Sequence, residues 1–247
     1  MTPLRAQTAS AIVIGNELLS GKVQESNLLE LSRVLRTLGI RLVKAVIVPD
    51  EVPVIRAEVE SLSKASDVVF TSGGVGPTHD DVTVEAVAQA FGVEAVVHPT
   101  LEKLLRESYG ERLGDAHLRM ALVPRGATLV SVSDIKWPTT LMHNVFMLPG
   151  VPEIFRMKLD AVRAHVTGPQ PFVSRAVFLG LEEAEIKDAL DAVVAAHPGV
   201  EIGSYPKWFE PRYRTKVTFD ARDASAVDAA LSDFVTRCDP SSVVHVE

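Results

Sequence analysis

Cysteine is almost missing from this chain: Cys238 is the only one, so no intrachain disulfide can form and a disulfide scaffold is excluded. A reducing, cytoplasmic setting is the expectation that fits. Long apolar runs are missing too. Residues 11–14 form a short apolar stretch, far below the roughly 20 residues of a membrane-spanning helix. Residues 1–10 carry one arginine and no apolar signal core, so neither membrane insertion nor secretion is expected. No Lys/Arg-rich run is present, and 25 basic against 32 acidic residues leave a net charge of −7. Nucleic acid is therefore not an expected partner. No Gly/Ser/Pro-rich tract occurs, and 47% hydrophobic with 23% charged residues fits a chain folded throughout.

Several chemical signatures are absent as well. The seven histidines include no His-x-x-x-His pair, which argues against structural zinc. There is no Gly-x-Ser-x-Gly elbow, and Cys238 on a predicted helix reads as core filling, so covalent catalysis lacks a nucleophile. Neither the Walker A pattern nor Gly-x-Gly-x-x-Gly occurs.

What is present is an alternation of strand and helix patterns. Residues 9–14 read as a buried strand ended by Gly15 and Asn16. Leu28, Leu31, Val34, Leu35 and Leu38 recur at helical spacing before Gly39, which predicts a helix over 27–38. Residues 41–48 predict a strand, 53–63 a helix and 67–71 a third strand. Right-handed crossovers then give a three-layer, doubly wound, mostly parallel α/β sheet, whose ligands bind beyond the carboxyl ends of the strands. Further helices are expected over 84–91, 100–110, 115–120 and 153–165, and short strands over 128–132 and 144–148.

Thr167-Gly-Pro-Gln-Pro171 is the clearest Pro/Gly interruption and marks a boundary between residues 1–167 and 172–247. The second part reads β-α-β-β-α-β, with strands over 172–179, 200–205, 212–220 and 242–246 and helices over 182–196 and 224–238. That order is the split βαβ arrangement of a small ferredoxin-like α+β domain. Its segment Tyr205-Pro-Lys-Trp-Phe-Glu-Pro211 is an aromatic turn, suited to packing between domains or to covering a ring.

The strongest local signal is Ser72-Gly-Gly-Val-Gly-Pro-Thr-His-Asp-Asp-Val-Thr83, set between a buried strand and a helix. Gly73, Gly74 and Gly76 let the backbone approach a ligand and turn its amides onto an anion. An ordinary glycine-rich bend is the plain alternative. Asp80 and Asp81 would repel a phosphate beside them unless a hard cation bridges the two, which points to a divalent metal. Either aspartate would also serve as a helix cap, although Thr83 can take that role in place of Asp81. Asp50 ends the second strand at the same sheet edge, where it either faces the loop or caps the next helix. Asn16 and Glu17 sit on the same rim.

Gly15-Asn-Glu-Leu-Leu-Ser-Gly21 with Asn27, Thr71 to Thr83, and Leu148-Pro-Gly-Val-Pro-Glu153 together resemble three signature segments of one family. It is the molybdopterin-binding-like (MoaB/Mog) family, including the N-terminal domain of competence/damage-inducible protein A (CinA) and a domain of eukaryotic FAD synthases. The resemblance covers about residues 8–165. It implies a phosphate-binding turn with Pro77, Thr78, Thr83, Pro149 and Gly150 as further ligand contacts. In several relatives it implies a metal-dependent pyrophosphatase acting on ADP-ribose or FAD. Catalytic roles carry over to Asp81 and, after the second strand, to Asp50, with Mg2+, Mn2+ or Co2+ held by Asp50, Asp80 and Asp81. Molybdopterin is a possible ligand, and a homo-oligomer is the expected assembly.

Where many CinA proteins read Asp-Thr-Asn, this chain has Glu25-Ser-Asn27, a longer carboxylate arm that would alter metal geometry. The amidase of CinA proteins and the adenylyltransferase of FAD synthases are not expected of residues 1–247. The expected activity is hydrolysis of a nucleotide pyrophosphate. Molybdopterin binding or adenylylation, and non-catalytic nucleotide or pterin binding, are the alternatives.

Overall fold

The computed structural model describes residues 2–132 and 136–247. The chain divides into two compact units, Met1–Pro169 and Gln170–Glu247. In the first, the elements run β1 (Leu4–Arg5), β2 (Thr8–Ile14), α1 (Asn16–Leu19), α2 (Asn27–Thr37), β3 (Arg41–Val48), α3 (Val52–Ala65), β4 (Val68–Ser72) and α4 (Thr83–Ala90). They continue with β5 (Ala95–Val97), α5 (Pro99–Tyr109), α6 (Asp115–Arg119), β6 (Leu122–Pro124), β7 (Thr128–Val130), β8 (Thr139–Met142), β9 (Val145–Leu148), α7 (Pro152–His165) and β10 (Val166–Thr167).

Six strands form the main sheet in the order β3-β2-β4-β9-β8-β7. The first four pair in parallel, and β8 and β7 pair antiparallel at the far edge. The central strands β4 and β9 are buried at every position, as strands covered on both faces must be.

Side-chain alternation along the sheet sorts the core into two layers. On one face Ala11, Phe70, Phe146 and Leu148 pack with Leu31, Val34 and Leu35 of α2 and Phe155, Leu159 and Val162 of α7. On the other, Ile12, Ile14, Val69, Val145 and Met147 pack with Ile55, Val59 and Leu62 of α3 and Ala86 and Val87 of α4. Each of the larger buried side chains, Val, Leu, Ile, Phe or Met, contributes roughly 1.5–3 kcal/mol. The expected three-layer, doubly wound architecture is therefore the one adopted.

The differences lie where pattern is short. β8, the two-stranded β5–β6 pair, the one-turn α1 and the β1–β10 pair have too few residues to display a period. The helix expected from 53 begins at Val52 with Pro53 in its first turn, a position that suits proline because its missing N–H has no intrahelical partner there.

In the second unit, β11 (Val173–Leu179), α8 (Glu183–Ala196), β12 (Glu201–Pro206), β13 (Thr215–Ala221), α9 (Ala224–Arg237) and β14 (Val243–Val246) build a sheet ordered β12-β13-β11-β14. All neighbours are antiparallel, which is the split βαβ order expected. Cys238 lies in the core between this sheet and its two helices, and burial pushes its thiol pKa up, toward the unreactive form. Trp208 and Phe209 are 85% and 100% exposed, so neither ring is buried. Among the described residues no helix is long and apolar enough to cross a membrane.

Candidate functional site

The glycine loop leaves β4 at Ser72 and enters α4 at Thr83, and its shape is set by two residues in the left-handed region. Gly73 has φ +107° and Gly74 φ +66°. A Cβ on Gly73 would meet the Ile14 carbonyl oxygen at 2.3 Å, and one on Gly74 the Thr83 hydroxyl at 2.3 Å. Only glycine fits both the angle and the space. Thr83 is fully buried and donates its hydroxyl to the Gly73 carbonyl at 2.8 Å, while its N–H reaches the Gly74 carbonyl at 3.0 Å.

That arrangement assigns Thr83 a structural task in place of ligand contact. The N-cap position of α4 falls on Val82, which has no capping side chain, so neither aspartate caps that helix. Asp81 instead folds back within the loop, accepting the Thr78 N–H at 2.7 Å and the Thr78 hydroxyl. The Thr78 side chain nearby, Asp80's own backbone amide and the neighbouring His79 hold the Asp80 carboxyl below the usual carboxylate range. His79 itself is almost fully exposed.

The loop borders a cavity of about 840 Å³ at the carboxyl edge of the sheet. Gly73, Gly74, Gly76, Pro77, Thr78, Asp80 and Asp81 line it, together with Glu17, Asp50, Pro149 and Gly150 from three other segments. Asn16 does not line it. Its backbone N–H, at the start of α1, donates to the Asp50 carboxylate at 2.8 Å. Asp50 is thus tied to the rim of β2, and α3 takes Glu51 as its N-cap residue. Glu25 lies outside the cavity and accepts the Leu28 N–H at 2.9 Å, so its longer arm supports the start of α2.

The residue that joins these segments belongs to the first signature segment, where the motif gives it no role. Asn27, 6% exposed, donates from its side-chain amide to the Ser72 hydroxyl at 3.0 Å and to the Gly150 carbonyl at 2.7 Å. It locks the end of β4 to the turn before α7, where Gly150 comes so close that an added Cβ would lie 3.3 Å from the Gly73 Cα. A polar residue on the buried face of a helix was the available signal.

The cavity also has a wall not foreseen from the motifs: Leu101, Leu105, Tyr109, Met120, Leu122 and Trp137. Ile154 and Lys158 enter from α7, four residues apart on one face. Lys158 is 5% exposed and donates to the carbonyls of Trp137 and of Pro138, the latter at 3.3 Å. Burial pushes its pKa down to about 8.

Two features define what the cavity can do. Among the described residues, the N–H groups of Gly74, Val75 and Gly76 have no protein acceptor, although the segment is half-buried. Backbone donors so placed need an anion or water. Three aspartates border the same space, yet among the described residues no three of His, Cys, Asp or Glu converge as a ready-made metal cage.

Residues 10–166 match the model of the probable molybdopterin binding domain, and residues 171–247 match that of the FAD synthase middle domain. A protein of Archaeoglobus fulgidus is 34% identical over 90% of this chain and 94% of its own length. A probable FAD synthase of Caenorhabditis briggsae is 30% identical over 93% of this chain and 49% of its own. A CinA-like protein of Myxococcus xanthus is 30% identical over 91% and 56%. The chain therefore spans about half the length of those last two relatives. The crystal structure of CinA from Thermoplasma acidophilum, described as of unknown function, superposes with a TM-score of 0.59 at 29% identity, over 64% of this chain and 97% of that one.

Proposed function

The chain belongs to the probable molybdopterin-binding domain family, and from that premise we propose that its first unit binds a small nucleotide or pterin phosphate and hydrolyses the pyrophosphate of an ADP-ribose-like or flavin dinucleotide. The observation that carries this reading is the row of unused donors, Gly74, Val75 and Gly76, at a strand-to-helix turn facing an open cavity. Three successive backbone amides in a glycine-rich turn favour a phosphate over neutral ligands.

Asp50, Asp80 and Asp81 do not converge on one point by themselves, so Mg2+, Mn2+ or Co2+ would be held by these carboxylates only together with phosphate oxygens of the substrate. When bound, the ion neutralises phosphoryl charge and makes a coordinated water more acidic. The chain's own residues position the reaction. Loop amides fix one phosphate, Asp50 is oriented by the Asn16 N–H, Asp81 is oriented by Thr78, and the apolar wall keeps bulk water from the ring end. Water adds to one phosphorus while the bridging P–O bond breaks. Two phosphate monoesters leave, and the displaced proton passes to solvent. The presence of both CinA-like and FAD synthase relatives supports a nucleotide substrate.

A second reading, binding or adenylylation of molybdopterin, uses the same loop and is supported by the family description and by the ring-sized apolar wall. One experiment separates them. The protein is mixed with ADP-ribose, FAD, or molybdopterin plus ATP, each with and without divalent metal. Metal-dependent AMP release from ADP-ribose or FAD supports hydrolysis, and adenylylated molybdopterin supports the second reading. Ligand-dependent thermal stabilisation without turnover indicates a carrier. Absence of binding to every ligand contradicts all three.

A further inference from the structure

Lys158 is a buried cation with one donor to spare. Its ammonium has three N–H groups, two of which go to the carbonyls of Trp137 and Pro138. Among the described residues no carboxylate pairs with it, although it is 5% exposed and lines the cavity. The adjacent Thr139 lines the same cavity, is 2% exposed, and its hydroxyl has no hydrogen-bond partner. Two buried polar groups on one cavity, linked through the Pro138 carbonyl that Lys158 bonds and both under-used, are costly unless a ligand completes them.

Their surroundings say what kind of ligand. Trp137 packs into the apolar cluster of Leu101, Leu105 and Val123, with Tyr109 and Met120 against it. Most of these residues face the cavity as well, making an apolar wall beside Lys158. A second phosphate would be poorly solvated against such a wall. A flat heterocycle would cover it and present one polar edge to the two side chains.

We infer that Lys158 and Thr139 form a ring-reading pole of the cavity, which takes the carbonyl edge of a planar lactam- or imide-bearing heterocycle such as an isoalloxazine or pteridine, in preference to adenine. Lys158 donates to a ring carbonyl oxygen, and the Thr139 hydroxyl bonds the same edge. Adenine has no ring carbonyl: it offers only ring-nitrogen acceptors, and beside N1 and N7 an amino donor that the ammonium cannot match. The depressed pKa of Lys158 accords with this site, because a ligand oxygen restores part of the solvation that burial removed. The inference rests on the proposed phosphate role of the glycine loop and adds which ring occupies the other end.

The test is calorimetric titration of the whole chain with FMN, AMP and inorganic pyrophosphate, using wild type, Lys158→Met and Thr139→Val. Wild type is expected to bind FMN at least about 10-fold more tightly than AMP, the discrimination that unpaired buried polar groups confer. Both variants should lose that preference while binding AMP and pyrophosphate within about threefold of wild type. Thr139→Val removes only an unpartnered hydroxyl, so it remains informative should Lys158→Met fold poorly. Parallel loss of all three ligands would make Lys158 a phosphate residue and overturn the proposal. Equal wild-type affinities for FMN and AMP, with pyrophosphate still bound, would overturn it alone. Failure of wild type to bind pyrophosphate or AMP would instead overturn the phosphate role of the loop.

Discussion

The buried hydroxyl of Thr83 holds the carbonyl of Gly73, ten residues earlier, at 2.8 Å, and so closes the glycine loop at its base. Thr83→Val removes the donor and leaves that carbonyl without it, which should cost about 1–3 kcal/mol. Thr83→Ser keeps the hydroxyl and should recover most of the loss. Urea denaturation of the three proteins checks this. Equal stability of Val and wild type would show that the bond does not hold the loop.

Gly73→Ala should be worse than an ordinary left-handed substitution, because the new Cβ falls 2.3 Å from the Ile14 carbonyl oxygen as well as forcing φ +107°. Gly92 supplies the control: its φ is +67° with no atom within 4 Å of an added Cβ. Gly92→Ala should lose about 1 kcal/mol. Gly73→Ala should lose more, about 1–3 kcal/mol from strain alone plus the clash, with weakened phosphate binding. Similar losses at the two sites would mean that the Ile14 contact relaxes freely.

Asp81 has a structural duty beside any chemical one, since it accepts the Thr78 N–H at 2.7 Å. Asp81→Asn keeps an acceptor oxygen and should leave the melting temperature within about 2–3 °C of wild type, a change under ~1 kcal/mol, while removing AMP release. Asp81→Ala loses both the acceptor and the charge and should lower stability too. Full activity in Asp81→Asn would exclude the carboxylate from the reaction.

Lys158 gives a pH-dependent signature. Its folded pKa, about 8, lies below the ordinary lysine value of 10.5. The cost of burying its charge is therefore fully present below pH 8, and is relieved as the pH rises from 8 toward 10.5, where the unfolded chain still holds the proton. Wild type should gain stability relative to Lys158→Met across that window, which denaturant titrations at pH 7, 9 and 10 would reveal. A constant difference would place the ammonium in contact with solvent.

How far the sequence reached follows from period and length. β2, β4, α2 and α7 each bury a regular face or a whole strand, and their patterns were readable to within a residue or two; β3, mostly exposed, was readable from its run of β-branched residues. The glycine loop was legible because positive φ and close approach demand glycine. Thr83 and Asn16 were not, since nothing in a motif says whether a polar group faces the ligand or the backbone. Lys158 was visible in principle: it interrupts the apolar stripe Phe155, Leu159 and Val162 of α7, where a lysine is out of place. Without the apolar wall formed by α5 and the residues near Trp137, however, that anomaly points nowhere.

The most direct test of the phosphate-binding role is a crystal structure of the chain with AMP. The account predicts phosphate oxygens within about 3 Å of the N–H groups of Gly74, Val75 and Gly76. A phosphate bound elsewhere, with those three amides turned to solvent, would contradict it.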